Sequence, residues 1–284
     1  MKMKKIVAIA LILVVAFGTV FAQGNKEQAQ KPVEVKNYTF GGSTTVAPIV
    51  ETAIPLFTAA NPGVKISYEG VGTGTGLKQL TAGTLTLAGA SRDLNSTEIA
   101  DGLVPNTIAL DGLSVAVNKS VTVANLSLAQ LAGIFSGEIS NWSQVGGPNA
   151  AIALIVRDES SGTYASFKEI VLDTQKKAPS KNAIVAKENG ELAAKIASTP
   201  NSIGYLGMAF NHIVTEAGGK VLLVDGIEST TANVLNGSYP ISRNLYLVSK
   251  GPLAGGSVEK AFVDFILSDK GAAVVLDAQY IPLN

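Results

Sequence analysis

The chain contains no cysteine. Disulfides, thiolate metal sites and a thioether-linked lipid are therefore all excluded. Histidine is nearly as scarce: His212 is the only one in 284 residues. No cluster of His, Cys and carboxylates has metal-ligand spacing, so no metal and no cofactor are expected. A nucleophile at Ser160 or Ser161 would need a general base, and neither an imidazole nor a Gly-x-Ser-x-Gly turn is at hand. The expectation is a protein that is not an enzyme. Charged residues make up only 15% of the chain, and 22 basic residues balance 22 acidic ones. With no basic excess there is no field to attract nucleic acid.

The N-terminus carries most of what apolar length there is. Lys2, Lys4 and Lys5 precede the apolar run 6–17, and Val20-Phe21-Ala22 places small residues before a cut near Ala22. Residues 1–22 read as a secretory signal peptide, because the run is short for a membrane span. An uncleaved anchor is the alternative. Cleavage would remove three lysines and no acid, leaving 19 basic against 22 acidic residues, a formal charge of −3. A mature chain of that sign does not gather anions by its bulk field, so any anion must be held by a local site. Residues 23–36 are polar and read as a flexible tether. The remaining ~250 residues suit one large domain or two ordinary ones.

Short β-like and helix-like runs then alternate. Strands are predicted at 38–40, 64–68, 113–117, 151–156, 203–206 and 245–248. Helices are predicted at 46–60, 76–82, 128–135, 163–172, 191–198 and 258–267, with Pro55 expected to kink or break the first. Such alternation favours an α/β fold with largely parallel sheets covered by helices. Ligands in such folds sit beyond the carboxyl ends of strands, where strands turn into helices.

Four such turns share one chemistry. Arg157-Asp158-Glu159-Ser160-Ser161-Gly162-Thr163 follows a strand and opens a helix. A guanidinium fork, hydroxyls and free helix-start amides would converge there on a tetrahedral oxyanion. Gly41-Gly42-Ser43-Thr44-Thr45 and Gly70-Val71-Gly72-Thr73-Gly74-Thr75-Gly76 occupy equivalent positions. Taken singly, the first serves as a helix cap and the second as a flexible turn. The second is not a nucleotide loop, because Leu77 stands where that loop needs lysine. In Ala90-Ser91-Arg92-Asp93, Ser91 and Arg92 are placed to reach an anion while Asp93 holds Arg92. Trp142 is expected to pack in a core, and His212 to lie in a surface turn without a role.

At these residues the chain resembles the extracytoplasmic phosphate-binding proteins of high-affinity phosphate ABC transporters. The similarity preserves order over nearly all of the mature chain. It runs through Gly42-Ser43-Thr44-Thr45-Val46-Ala47-Pro48, the 68–76 loop, Gly89-Ala90-Ser91-Arg92, Ile134-Phe135-Ser136-Gly137 with Asn141-Trp142, Arg157 to Thr163, Ile203-Gly204-Tyr205, and Tyr239-Pro240-Ile241-Ser242-Arg243. The resemblance implies a two-lobed α/β clamshell, each lobe a mostly parallel sheet flanked by helices, with the ligand in the cleft. Lobe one would be 37–113 plus 239–284, and lobe two 114–238. Implied phosphate contacts are Thr44, Thr45, Thr73, Ser91, Arg92, Arg157, Ser161, Gly162 and Thr163. Some family members place an acidic residue at the position of Arg92, where it accepts a proton from the ligand; shorter members often carry Arg. The implied activity is capture of inorganic phosphate by a soluble periplasmic monomer, which hands it to the membrane permease subunits. Another tetrahedral oxyanion (sulfate, molybdate, tungstate), or sensing without transport, remains the alternative.

Overall fold

The computed structural model of the protein describes residues 35–283. The signal peptide and nearly all of the expected tether lie outside the described residues. Its strands are β1 (Lys36–Gly42), β2 (Val64–Gly70), β3 (Leu87–Ala90), β4 (Leu103–Val117), β5 (Asn125–Leu126), β6 (Ala153–Arg157), β7 (Ile184–Ala186), β8 (Ser202–Gly207), β9 (Lys220–Val221), β10 (Leu223–Val224) and β11 (Ser242–Lys250). Its helices are α1 (Ala47–Ala60), α2 (Thr73–Thr81), α3 (Ser96–Ala100), α4 (Leu128–Ser136), α5 (Gly162–Phe167), α6 (Asn189–Ser198), α7 (Asn211–Glu216), α8 (Thr231–Leu235), α9 (Val258–Ile266) and α10 (Asp269–Asp277).

Local chemistry accounts for the ends of these elements. Helix α1 buries Ile49, Val50, Ala53 and Phe57 along one face. It runs through Pro55 without ending, because tertiary burial of that face outweighs one lost backbone bond. Helix α4 starts in a reciprocal box between Ser127 and Gln130 and stops at Gly137, whose φ is 86°. The expected helix over 163–172 changes pitch part-way: α5 gives way at Lys168 to a π-helical turn ending at Leu172. The α2 helix begins at Thr73, earlier than glycine content suggests, so Thr73 sits in its first turn.

One sheet organises the chain, in the order β2-β1-β3-β11-β4-β8-β6-β7, with β9 also on β4. Its outer pairs are parallel: β1 with β2 and β3, and β6 with β7 and β8. Its centre is not. Strand β11 runs antiparallel to both β3 and β4, and β4 antiparallel to β8. The expectation of largely parallel sheets therefore holds for the flanks and is corrected at the middle. Strand β4 is also much longer than the predicted 113–117, because its first part mixes apolar residues with Pro105, Asn106 and Asp111. Over 103–112 it pairs with β11, and from Leu113 with β8.

The helices bury two main apolar clusters. One gathers Phe40, Phe57, Leu87, Leu245, Phe262 and Tyr280. The other gathers Phe135, Trp142, Phe167, Tyr205 and Tyr239, with the Phe167 and Tyr205 rings stacked at 3.8 Å. Trp142 is fully buried there, as expected of a core residue, and its indole N–H donates to the Asn201 carbonyl. His212 departs from expectation only in setting: it is exposed on α7 rather than in a turn.

Candidate functional site

The carboxyl ends of β1, β2, β3 and β6 each lead into one of the four turns singled out above. The β11 strand runs the opposite way, so its first residues reach the same end of the sheet. The hydroxyls of these turns meet directly. Thr45 Oγ1 lies 3.0 Å from Thr163 Oγ1, although 118 residues separate them in the chain. Thr73 Oγ1 lies 3.4 Å from Ser91 Oγ and accepts the Ser91 amide at 3.2 Å. Ser166 Oγ donates to the Ser91 carbonyl at 3.0 Å, and Gly74 N to the Ser160 carbonyl at 2.8 Å. All of Thr45, Thr73, Ser91, Ser161 and Thr163 are buried.

Gly162 is what lets the walls approach. A Cβ there would collide with Thr73 Oγ1 and Ser91 Oγ, so any larger residue forces the turns apart. The amides of this helix start are less free than the sequence suggests. Ser161 Oγ caps α5, accepting Thr163 N at 3.1 Å and Tyr164 N at 3.3 Å. The outward donors of this turn are therefore chiefly side chains.

Arg157 supplies the charge. Its side chain is 2% exposed. Nη2 donates to Thr44 Oγ1 at 3.2 Å and to the Lys187 carbonyl at 2.6 Å. Nε and Nη1 are buried without a hydrogen-bond partner. Among the described residues no carboxylate forms an ion pair with it, and burial pulls its pKa down to about 10, Asp158 opposing and Arg243 reinforcing the shift. A buried cation with unmet donors is costly unless an anion meets it.

Two residues at the centre were not among the expected contacts. Arg243 lies opposite Asp111 in the β11–β4 ladder, and the two form a buried ion pair, with Nη2 and Nε 2.7 and 3.0 Å from Asp111 Oδ2. Burial raises the Asp111 pKa while Arg243 acts against it. Met208 N donates to the other carboxylate oxygen at 3.1 Å. So held, Arg243 Nη1 reaches the Ser91 carbonyl at 2.9 Å and Thr163 Oγ1 at 3.0 Å. Asn189, the first residue of α6, is fully buried and donates to Thr45 Oγ1 at 2.9 Å. The available signal for Arg243 was its place at the end of the Tyr239-Pro240-Ile241-Ser242-Arg243 stretch, just ahead of the apolar part of β11. Nothing in the sequence marks Asn189.

Arg92 is not brought to this cluster. Its two terminal nitrogens hold both oxygens of Glu98 at 2.7 Å, and Nη1 also donates to the Asp93 carbonyl at 2.8 Å. The Asp93 carboxylate does not clasp Arg92 as expected; it accepts the Tyr246 hydroxyl at 2.5 Å. The reason is local: Glu98 in the first turn of α3 offers a bidentate partner six residues away.

Two openings flank the cluster. A cleft of about 360 Å³ is bordered by Thr44, Glu51, Gly70, Glu188, Asn189 and Phe210. A larger groove of about 590 Å³, walled by Phe135, Tyr164, Phe167 and Tyr205, touches Arg157 but none of the hydroxyl residues. Chemistry rather than size selects the first as the polar mouth.

Residues 27–270 match the family described as the PBP superfamily domain. The chain belongs to the PBP superfamily. Within that superfamily it is 34% identical to the Phosphate-binding protein PstS of Borreliella burgdorferi, over 99% of this chain and 100% of that one. It is 31% identical to the Phosphate-binding protein PstS of Bacillus subtilis, over 99% of this chain and 96% of that one. A crystal structure of a phosphate ABC transporter substrate-binding protein from Clostridium perfringens, with bound phosphate, superposes with a TM-score of 0.80. That structure shares 32% identity and covers 88% of this chain and 100% of its own. The fold is accordingly the two-lobed mixed α/β arrangement of PBP superfamily members.

Proposed function

We propose that the protein binds inorganic phosphate in the cluster around Arg157 and delivers it to an ABC permease. The observation that carries this reading is the buried Arg157 guanidinium, with two unpartnered nitrogens and its third on Thr44, at the edge of a cluster of hydroxyls drawn from four strand ends. The names of its relatives, phosphate-binding proteins and a phosphate-bound substrate-binding protein, support the same ligand. The proposed contacts are Thr44, Thr45, Thr73, Ser91, Arg157, Ser161, Gly162 and Thr163, with Arg243 added and Arg92 left out. Capture would exchange direct bonds such as Thr45–Thr163 for bonds to the anion, with no covalent chemistry. The lobes would be 37–113 plus 239–284 and 114–238, a division supported by the switch of β4 pairing between Gly112 and Leu113. The protein would act as an exported monomer after cleavage near Ala22. Among the described residues no helix is long and apolar enough to cross a membrane.

The test is calorimetric titration of ligand-stripped mature protein with phosphate, sulfate and molybdate at two pH values. Saturable phosphate binding with sulfate silent is expected. Equal binding of sulfate would reassign the ligand, and silence with all three would remove the site.

A further inference from the structure

The Thr45 hydroxyl has one proton and two lone pairs. Asn189 Nδ2 approaches its oxygen at 2.9 Å and Arg243 Nη2 at 3.4 Å. With nitrogen donors on both lone pairs, the proton of Thr45 can only be given away. Its neighbour Thr163 Oγ1, 3.0 Å distant, likewise receives Arg243 Nη1 at 3.0 Å. The pair is thus polarised from one side, with its protons directed away from Asn189 and Arg243.

We propose that Asn189 is a positioning residue for anion capture, which turns the Thr45 hydroxyl into an obligate donor toward the anion. This rests on the reading that the cluster binds an oxyanion. Asn189 is suited to the task because it is fully buried at the start of α6, where its amide has little freedom. It is also neutral, so it orients the hydroxyl without repelling or competing for the anion. The same turn supports Arg157, whose Nη2 rests on the Lys187 carbonyl at 2.6 Å. Asn189 therefore adjoins both the charged and the hydroxyl halves of the site while its role passes through Thr45.

The experiment is a double-mutant cycle on the full mature chain, read as phosphate dissociation constants by calorimetry. Asn189→Ala is expected to weaken phosphate about tenfold in the wild-type background, and less than about twofold in the Thr45→Val background. An equal loss in both backgrounds would overturn the positioning role, since a purely structural residue costs the same with or without the hydroxyl. Asn189→Asp adds a second readout. Its carboxylate accepts the Thr45 proton when ionised and donates when protonated, so its affinity deficit against wild type should shrink as pH falls through the carboxylate range. A deficit constant with pH would also count against the proposal. Circular dichroism checks each fold, and Asn189→Ser substitutes for the alanine variant if that one does not fold. Phosphate silence in the wild-type protein would instead refute the oxyanion reading, and this inference with it.

Discussion

Arginine position decides more here than arginine number. Arg157 and Arg92 lie at or just beyond the carboxyl ends of β6 and β3, and Arg243 lies at the start of the antiparallel β11 at the same end of the sheet, yet they meet three different fates. Arg243 is neutralised by Asp111 and Arg92 by Glu98, which leaves Arg157 as the buried cation with donors to spare. Arg157→Ala should therefore weaken phosphate by about 2–4 kcal/mol, roughly 30- to 700-fold, as expected for a desolvated charge-assisted partner. An unchanged dissociation constant in calorimetry would refute the assignment. Lysine at this position should not restore binding, because a point charge cannot span Thr44, the Lys187 carbonyl and an anion together. Arg92→Ala, by contrast, should leave phosphate affinity within about twofold of wild type, since a bidentate pair with Glu98 already uses its guanidinium.

Among the elements, the β6–α5 turn and helix α3 make separate demands. The turn depends on Gly162, where even a methyl group strikes the Thr73 and Ser91 hydroxyls. Gly162→Ala should cost at least tenfold in phosphate affinity, read by the same titration, because a displacement of about 1 Å in a positioned site is expensive. Helix α3 depends on the Asn95–Glu98 capping box, with Arg92 as the third member. Burial alone would raise the Glu98 pKa, but hydrogen bonds from Arg92 and the Asn95 amide outweigh it and lower it. A carboxylate with a depressed folded pKa stabilises the fold above its unfolded pKa, and that contribution is lost as pH falls through the folded value. The melting temperature of Glu98→Gln should lie below wild type at neutral pH, and the gap should close as pH falls below the ordinary carboxylate range through the lowered folded value. A gap that persists in acid would mean the ion pair is not its source.

Over the whole molecule, the site draws on segments from residue 44 to residue 243, so ligand and fold are coupled. Phosphate that binds only the native arrangement should stabilise it by about 2.7 kcal/mol at a hundredfold excess over the dissociation constant. Scanning calorimetry should show a rise in melting temperature that grows with phosphate concentration and disappears in Arg157→Ala. An increase of the same size in that variant would point to nonspecific ion effects.

Strand-to-helix alternation, the hydroxyl- and glycine-bearing turns and the Arg157 segment were all readable in the sequence, because each is written in contiguous residues with local preferences. The turns that carry Thr45, Thr73, Ser91 and Thr163 could be picked out from their residues, and the family resemblance implied those residues as contacts. Arg243 and Asp111 could not be named as a pair, since only an antiparallel return strand sets residue 243 opposite residue 111. Asn189 could not be named at all, because its meaning comes from a contact 144 positions away. The pairing of Arg92 was equally hidden: a charged side chain beside a site looks the same in sequence whether it faces the ligand or a carboxylate six residues onward. The sequence determined which donors the protein owns. Tertiary structure decided which of them remain unspent, because hydrogen-bond partners are assigned only when distant segments are packed against one another.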